Sequence, residues 1–320
     1  MTEKSILAII GPTAIGKTSV AVAVAQKVNG EIIGLDSRQI YKDMPIGTAQ
    51  PSSAELDAVP HHLISFRSPS ELVSAGEYAV WVKQCITDIN NRKKVPIICG
   101  GAGLYLDALT KGIFEESITN YEIRERLSKE YDKDPNPLLK KLTHIDPEYA
   151  NIVHINNKKR LVRALEIFEI TGKSPTDHFT NQSDQDEQAI NLSSRYSICT
   201  ILLSIDRQLL VDRIRKRTKV MLQNGWIEET NKLREKYSDD EAHALDSIGY
   251  RQICQYLDGE FTMEELEEEI VVRTRQYAKR QLTWFRNRSN PIEMNIEKFE
   301  NVNDIADEII LVWKKFYDQQ

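Results

Sequence analysis

The segment GPTAIGKT, from Gly11 to Thr18, has the residue types and the spacing of a phosphate-binding loop, or P-loop. Its glycines allow backbone N–H groups to converge on phosphate oxygens at a helix start, Lys17 adds a positive charge, and the Thr18 hydroxyl can complete the shell of a Mg²⁺ ion. We therefore predict that a diphosphate and Mg²⁺ bind here, through Gly11, Pro12, Thr13, Ala14, Ile15, Gly16, Lys17 and Thr18. A Gly-rich turn without a ligand is the alternative. It is the weaker one, because an apolar run precedes the loop and helix-forming residues follow it.

A carboxylate and a polar run end the next apolar segment, EIIGLD, of residues 31–36. Ligands of open α/β proteins bind at the carboxyl ends of strands, which is where Asp36 is expected to lie. The side chains of Ser37, Arg38 and Gln39 can read the edge of a base. Asp36 itself can act as a general base or as a Mg²⁺ ligand, and the residues alone leave both interpretations open.

Two arginines, Arg213 and Arg217, are four residues apart and so share one face of a predicted helix. A like-charge pair at this spacing is mildly destabilising unless an anion lies near it. We expect both side chains to bind the diphosphate, although a solvated basic helix would show the same pattern.

Two further segments are basic. Residues 158–163, KKRLVR, lie at the expected start of a helix, where positive charge opposes the helix dipole, and a phosphate backbone explains this placement better than a solvated face does. Residues 273–288 include six basic residues and no acidic one, with Tyr277, Trp284 and Phe285 among them. Basic side chains can neutralise phosphates, while aromatic rings stack on bases or pack, and packing is expected for Trp284.

The elements that must position these residues indicate an α/β fold with a parallel sheet. Short β-branched runs bounded by turn residues predict buried strands at 5–10, 31–36, 61–65, 95–101 and 198–205. Capping boxes predict helix starts at Ser74 with Glu77 and at Thr262 with Glu265, and one helix is expected from the last strand to Tyr237. The strand, loop and helix around the P-loop favour a P-loop NTPase-like core.

Strand signals vanish from about residue 118 to residue 193, where the chain is charged, helix-prone and interrupted by prolines. We predict three regions: the first part of the catalytic core at 1–117, an inserted helical domain at 118–193, and the completion of the core with C-terminal helices at 194–320.

Composition excludes several classes of protein. No apolar run in the 320 residues approaches the roughly 20 needed to cross a bilayer, and no secretory signal is evident, so a cytoplasmic protein is expected. A monomer is also expected, although the sequence leaves the oligomeric state open. The four cysteines are far apart, without a CxxC pair, which fits neither a zinc site nor a disulfide framework. The net charge of −6 matters less for a polyanion partner than the uneven distribution of basic residues does.

The chain resembles the tRNA dimethylallyltransferase family in several segments that follow in the family's order, from residue 6 to about residue 288: LDSRQIYKDMPIGTAQPS, VPHHLIS, CGGAGLYLDAL, NKKRLVRALEIFEITGKSP, RIRKRTKVMLQNGWIEE, SIGYRQ and TRQYAKRQLTWFR. The resemblance implies a P-loop core that holds dimethylallyl diphosphate and an inserted domain that clamps the tRNA anticodon stem-loop. It also implies that the adenine 3′ of the anticodon is flipped out and alkylated on its exocyclic amine. The lack of a Cys/His cluster is typical of the family's bacterial form.

The resemblance also implies roles for individual residues. Asp36, Lys17 and Arg217 would be catalytic. The residues expected to contact tRNA are Asp36, Ser37, Arg38, Gln39, Ala102, Arg124, Lys159, Arg160, Leu161, Val162, Arg163, Arg275, Lys279 and Arg280. This chain departs from the family in two places, since Ala102 replaces a usual Thr and Gln50 replaces a frequent Lys.

Other activities fit parts of the sequence. An adenylate isopentenyltransferase would use free AMP or ATP, but it would need neither the inserted domain nor the basic C-terminal segment. The P-loop and the sheet alone also permit a small-molecule kinase. A tRNA-binding module without turnover becomes attractive only if Asp36 is dispensable.

Overall fold

A computed structural model describes residues 5–111, 120–180, 192, 196–238, 243–288 and 290–318. Contacts divide the chain into two compact units. The core unit comprises Met1–Lys111 and Asn191–Gln320, and the helical unit comprises Gly112–Ile190. Among the described residues, no helix is long and apolar enough to cross a membrane.

The core unit is built on a six-stranded parallel sheet with the order β3-β2-β4-β1-β5-β6. The strands are β1 (Ser5–Ile10), β2 (Gly30–Leu35), β3 (His61–His62), β4 (Val95–Gly100), β5 (Ser197–Ser204) and β6 (Ile292–Asn295). β1 is central, paired with β4 on one side and β5 on the other, and its residues Ile6 to Ile10 are fully buried. The predicted α/β fold with a P-loop NTPase-like parallel sheet is confirmed.

The strand predicted at 61–65 is wrong after His62. The observed strand is only His61–His62, and both residues are half-buried rather than buried. Leu63 and Ser65 have positive φ angles of 62° and 50°, which a strand cannot accommodate. The N–H groups of Ser65 and Phe66 donate instead to the carbonyls of Gln39 and Ile40. This segment therefore supports the loop that follows β2.

Helices cover the sheet. In the core unit they are α1 (Lys17–Val28), α2 (Ser53–Ala58), α3 (Ala75–Asn91), α4 (Gly103–Lys111), α10 (Arg207–Gln223), α11 (Trp226–Lys236), α12 (Tyr250–Leu257), α13 (Met263–Arg288) and α14 (Val302–Asp318). Both predicted capping boxes are present, at the starts of α3 and α13. The single helix expected to reach Tyr237 is wrong: it is α10 and α11, because Gly225 adopts a φ of 95° and ends the regular backbone between them.

The helical unit contains α5 (Tyr121–Lys133), α6 (Asn136–Ile145), α7 (Pro147–Ile152), α8 (Lys158–Thr171) and α9 (Pro175–Thr180). Its core consists of apolar side chains of α5, α6 and α8 with Val153, among them Leu127, Leu138, Leu142 and Leu165. Pro147 lies in the first turn of its helix, where a missing N–H costs nothing, and Asp146 caps that helix by accepting from the N–H of Tyr149.

Candidate active site

The P-loop lies between β1 and α1, at the carboxyl edge of the sheet. Two of its residues have left-handed backbone: Ala14 with a φ of 67° and Gly16 with a φ of 98°. Gly16 directly precedes the first residue of α1, so the loop ends at a helix N-terminus whose first N–H groups lack intrahelical partners. This is the backbone geometry that binds phosphate.

Lys17 is folded back onto the loop, since its Nζ donates a 2.8 Å hydrogen bond to the carbonyl of Pro12. Burial lowers the pKa of this ammonium to about 8, while the nearby Cys99 and Asp36 raise it and Arg217 lowers it further. A bound anion would favour the charged form. Binding of a phosphate would therefore shift Lys17 toward its charged form.

Both predicted arginines of α10 reach the P-loop. The Nη2 of Arg217 donates to the hydroxyl of Thr13 at 2.7 Å, and the Nη1 of Arg213 donates to the carbonyl of Ile15 at 3.0 Å. Burial lowers the pKa of Arg217, and the negative charge of Asp36 opposes this shift. The structure thus brings Lys17, Arg213 and Arg217 to one loop, and that they bind a diphosphate stays a prediction.

Asp36 is the first residue after β2 and has one carboxylate oxygen fixed by the backbone. Its Oδ1 accepts from the N–H of Arg38 at 2.8 Å and from the N–H of Gln39 at 3.3 Å. Within the described part of the chain, its Oδ2 has no hydrogen-bond partner. One oxygen therefore orients the group and leaves the other to accept a proton from a ligand.

A cavity of about 280 Å³ is lined by Thr13, Arg217 and Asp36 together. Its wall includes Thr13 and Arg217 from the anion site, and Asp36, Ser37 and Arg38 from the loop that follows β2. The rest of the wall comes from the segment after β2 and from the helical half of the core unit, including Thr48, Ala49, Met221, Trp226, Ile248, Tyr250, Ile270, Thr274 and Tyr277. A candidate anion site and the carboxylate of Asp36 thus share one space, whose wall is partly polar and partly apolar.

The segment after β2 is held by two glutamine side chains. The Nε2 of Gln39 donates to the carbonyls of Thr48 and Ala49, at 3.3 and 2.7 Å. The Nε2 of Gln50 donates to the carbonyls of Gln39 and Tyr41, at 3.1 and 2.8 Å. The Nε2 of Gln39 is thus used within this loop, so its Oε1 is the atom left to read a base edge. The Nε2 of Gln50 ties the same loop together, at the position where the family frequently has a lysine.

A buried carboxylate holds the same segment from the other side. Glu229 of α11, 9% exposed, accepts from the N–H groups of Ile46 and Gly47 at 2.8 and 2.9 Å, and from the hydroxyl of Tyr250 at 2.6 Å. Gly47 has no room for a side chain, because a Cβ there would lie 2.0 Å from Nε1 of Trp226. Glu229 therefore fixes the loop against two aromatic side chains of the cavity wall.

Comparison with known proteins shows the family of this chain. The family model described as IPP transferase matches residues 39–288. The chain belongs to the IPP transferase family. It is 37% identical to the tRNA dimethylallyltransferase of Alkaliphilus oremlandii over 99% of both chains. It is also similar to the crystal structure of the full-length tRNA isopentenylpyrophosphate transferase of Bacillus halodurans, with 34% identity and a TM-score of 0.69 over 99% of both chains. A structure of a eukaryotic dimethylallyltransferase acting on tRNA matches with 28% identity and a TM-score of 0.76 over 91% of this chain and 74% of that one.

The cavity wall of this IPP transferase contains residues that motif analysis did not single out. Thr48, Trp226, Ile248 and Tyr250 lie in segments that carry the family resemblance, but their residue types do not distinguish a side chain that lines a cavity from one that does not. Only the fold shows that they face a cavity. Tyr277 was considered for base stacking, and it lines the cavity, where burial first and then the charge of Asp36 raise the pKa of its hydroxyl. That hydroxyl therefore stays protonated and can donate.

The residues of α13 predicted to contact tRNA are arranged along its exposed side. Arg275, Lys279 and Arg280 are exposed, whereas Thr274 and Tyr277 of the same helix face the cavity. Ala102 lies at the start of α4, where its N–H donates to the carbonyl of Leu35, and it does not line the cavity. Trp284 is packed against Gly103, as expected for a packing role.

The basic residues predicted in the helical unit differ in how free their side chains are. Lys159 and Arg160 are exposed. Arg124 and Arg163 are ion-paired with the fully buried Glu166, at 2.9 and 2.8 Å. Leu161 and Val162 are buried in the core of this unit. The expectation that all of these contact tRNA stays a prediction, and for Leu161 and Val162 the side chains serve packing.

The possible metal ligands near the P-loop fit a Mg²⁺ ion that is bound chiefly by a phosphate substrate. The Thr18 hydroxyl lies in the first turn of α1 and makes no hydrogen bond within the described part of the chain. Among the described residues, no group of three or more His, Cys, Asp or Glu side chains is placed to hold a metal. Mg²⁺ accepts such a site, because it keeps several waters and binds through one or two protein oxygens plus phosphates.

Proposed function

We propose that this protein transfers the dimethylallyl group of dimethylallyl diphosphate to the exocyclic N6 amine of the adenine 3′ of the anticodon in tRNA, releasing diphosphate. One observation carries this proposal: a single cavity is lined by Thr13 and Arg217 of the anion site and by the carboxylate of Asp36. A prenyl transfer needs such an arrangement, since a leaving diphosphate and an attacking amine must lie on opposite sides of one carbon. The family membership supplies the substrate class.

The diphosphate would be held by the N–H groups of the P-loop and by Lys17, Arg213 and Arg217. These groups stabilise the negative charge that grows on the leaving oxygen as the bond to the allylic carbon breaks. When bound, Mg²⁺ would add charge neutralisation on the phosphate oxygens, with Thr18 as its protein ligand. The apolar part of the cavity wall would exclude water from the allylic cation-like centre, which water would otherwise trap.

The acceptor amine would be oriented by Asp36. An exocyclic adenine amine is a weak nucleophile, because its lone pair is delocalised into the ring. As its nitrogen bonds to carbon, the N–H becomes acidic, and the free Oδ2 of Asp36 can accept that proton. Ser37, Arg38 and the Tyr277 hydroxyl line the same wall and can hydrogen-bond the base edge.

The RNA would be bound through exposed basic side chains. Lys159 and Arg160 of the helical unit and Arg275, Lys279 and Arg280 of the core unit are exposed cations available to the phosphate backbone. We propose that the helical unit, predicted as the inserted domain at 118–193, binds the anticodon stem-loop. We also propose that the protein acts on tRNA as a monomer in the cytoplasm.

The test supplies labelled dimethylallyl diphosphate with unmodified tRNA, with AMP or ATP, or with a panel of kinase acceptors and ATP. We expect label in tRNA alone, at an adenosine that becomes N6-isopentenyladenosine after digestion. Label in free AMP would identify an adenylate isopentenyltransferase. Transfer of phosphate from ATP without any prenyl transfer would identify a kinase and overturn the proposal.

A further inference from the structure

Gln281 of α13 connects two loops that approach each other at the carboxyl edge of the sheet. Its Oε1 accepts from the N–H of Thr13 at 2.9 Å, and its Nε2 donates to the carbonyl of Gly101 at 2.9 Å. The side chain is 6% exposed. Exchange of its amide oxygen and nitrogen would oppose donor to donor and acceptor to acceptor, so the two partners fix its orientation.

The surroundings of this amide are shaped for it. A Cβ at Gly101 would lie 2.2 Å from the Nε2 of Gln281, so the position has no room for a side chain. Gly101 itself is tied to β2, since its N–H donates to the carbonyl of Leu35, the residue before Asp36. The amide therefore bridges the loop after β1 to the loop after β4, which in turn is bonded to the strand that carries Asp36.

Thr13 is held from two sides as a result. Gln281 accepts its N–H, and Arg217 donates to its hydroxyl at 2.7 Å. N–H groups of a P-loop ordinarily point at the anion. The Thr13 N–H is instead directed to a side chain 268 positions away in sequence, so Gln281 determines which N–H groups of the loop remain for a ligand.

We propose that Gln281 is a positioning residue for the diphosphate site. By accepting the Thr13 N–H and donating to Gly101, it sets the separation between the P-loop and the loop after β4, and with it the conformation in which the P-loop meets a diphosphate. The inference rests on the proposed function only in taking a diphosphate as the ligand of that loop. It does not depend on which molecule receives the prenyl group.

The test compares binding of inorganic diphosphate, in the presence of Mg²⁺, to the full chain and to its Gln281→Met variant. Methionine has a similar length but makes neither hydrogen bond, so we expect the Kd for diphosphate and the KM for dimethylallyl diphosphate to rise about tenfold, the scale of a lost pair of buried hydrogen bonds. The Kd for tRNA should change less than about twofold, because the exposed cations of α13 are unaltered. A merely structural glutamine would lower the melting temperature and leave the Kd for diphosphate unchanged.

Two further variants complete the design. Gln252→Met is the matched control, since Gln252 is also a buried glutamine that accepts a backbone N–H, that of Gly249, and it should leave the Kd for diphosphate unchanged. Gln281→Asn keeps the amide but is too short to reach both partners, and it should raise the Kd as well, even if the methionine variant does not fold. If wild type fails to bind diphosphate, the proposed function is wrong. If wild type binds and the two Gln281 variants bind equally well, the positioning role is wrong.

Discussion

Arg217 donates a 2.7 Å hydrogen bond to the hydroxyl of Thr13, joining α10 to the P-loop across 204 positions of sequence. The arginine is buried enough for its pKa to be lowered, with the charge of Asp36 as the opposing influence. Among the described residues this guanidinium has no ion-pair partner, so a diphosphate would stabilise its charge. The hydrogen bond therefore holds the positive charge of Arg217 at the P-loop, where a leaving diphosphate would develop negative charge.

Arg217→Gln should lower kcat about 10²- to 10³-fold, the scale found when a group that stabilises developing negative charge is removed. It should also raise the KM for dimethylallyl diphosphate, whereas the Kd for tRNA should stay within about twofold of wild type. Single-turnover prenyl transfer with saturating tRNA measures the first effect. Arg213→Gln is the comparison, because Arg213 is exposed and its loss should lower kcat less. An equal fall in kcat in both variants would contradict the larger contribution of Arg217.

Diphosphate affinity should depend on pH through Lys17. The pKa of this ammonium in the free protein is lowered to about 8 by burial, and a bound anion raises it, so the complex holds the proton more tightly than the free protein does. Affinity is then constant below pH 8 and falls about tenfold per pH unit above it. Titration with inorganic diphosphate between pH 7 and 9.5 measures the slope.

Lys17→Met is the control for that slope, since it removes the titrating group; affinity should be low and independent of pH over the same range. The same shift acts on folding with the opposite sign. Between about pH 8 and 10.5 the unfolded chain holds the Lys17 proton and the folded chain has lost it, so this group makes the free protein more stable as pH rises. A wild-type affinity that does not fall above pH 8 would contradict the assignment of Lys17 to the diphosphate.

The sequence predicts the anion site better than the rest of the cavity. The P-loop is eight contiguous residues whose spacing specifies backbone geometry, and Asp36 is located by the end of a strand. Gln281 and Glu229 could not be found in this way, because their partners lie 268 and 183 positions away and depend on how helices pack on the sheet. A buried glutamine or glutamate also has no local pattern that distinguishes it from an exposed one.

The charge patterns predicted where basic residues lie in the fold better than they predicted what those residues bind. The run at 158–163 does lie at the start of α8, yet Arg163 and, from α5, Arg124 are paired with the buried Glu166. That carboxylate sits among apolar residues of the same helix, and nothing local marks it as the partner of two arginines. Helix breaks show the same limit, since Asn224-Gly225 separates α10 from α11 within a charged, helix-prone stretch.

Glu229→Gln should impair the use of tRNA, the prenyl acceptor, and leave the binding of diphosphate unchanged. The carboxylate accepts three hydrogen bonds, from Ile46, Gly47 and Tyr250, and an amide would place its NH₂ against one of those donors. We expect the KM for tRNA to rise about tenfold or kcat to fall by a similar factor, with the Kd for diphosphate unchanged. Glu228→Gln, the same charge change on an exposed neighbour, should be neutral; equal kinetics for both variants would remove the positioning role of Glu229.

Lys159→Ala with Arg160→Ala should weaken tRNA binding and reduce its salt dependence. Both side chains are exposed, and each phosphate contact that is lost lowers the slope of log K against log salt by about one. The KM for tRNA should therefore rise with kcat nearly unchanged. Lys158→Ala is the comparison, since Lys158 is paired with Asp132 at 2.6 Å and should contribute less. An unchanged salt slope in the double variant would mean that this surface is only solvated.

Asp36→Asn should abolish most turnover and leave tRNA binding intact. The Oδ1 of Asp36 is fixed by the N–H groups of Arg38 and Gln39, and an asparagine can keep both bonds through its own Oδ1. The other atom then becomes an NH₂ that donates, so the variant loses the acceptor of the amine proton and little else. Removing a positioned base of this kind lowers kcat about 10²- to 10⁴-fold. Single-turnover kinetics at several Mg²⁺ concentrations distinguish the two interpretations that the sequence leaves open. A loss that does not respond to Mg²⁺ identifies Asp36 as the base, recovery of activity as Mg²⁺ is raised places it in the metal shell, and normal turnover at every concentration excludes both roles.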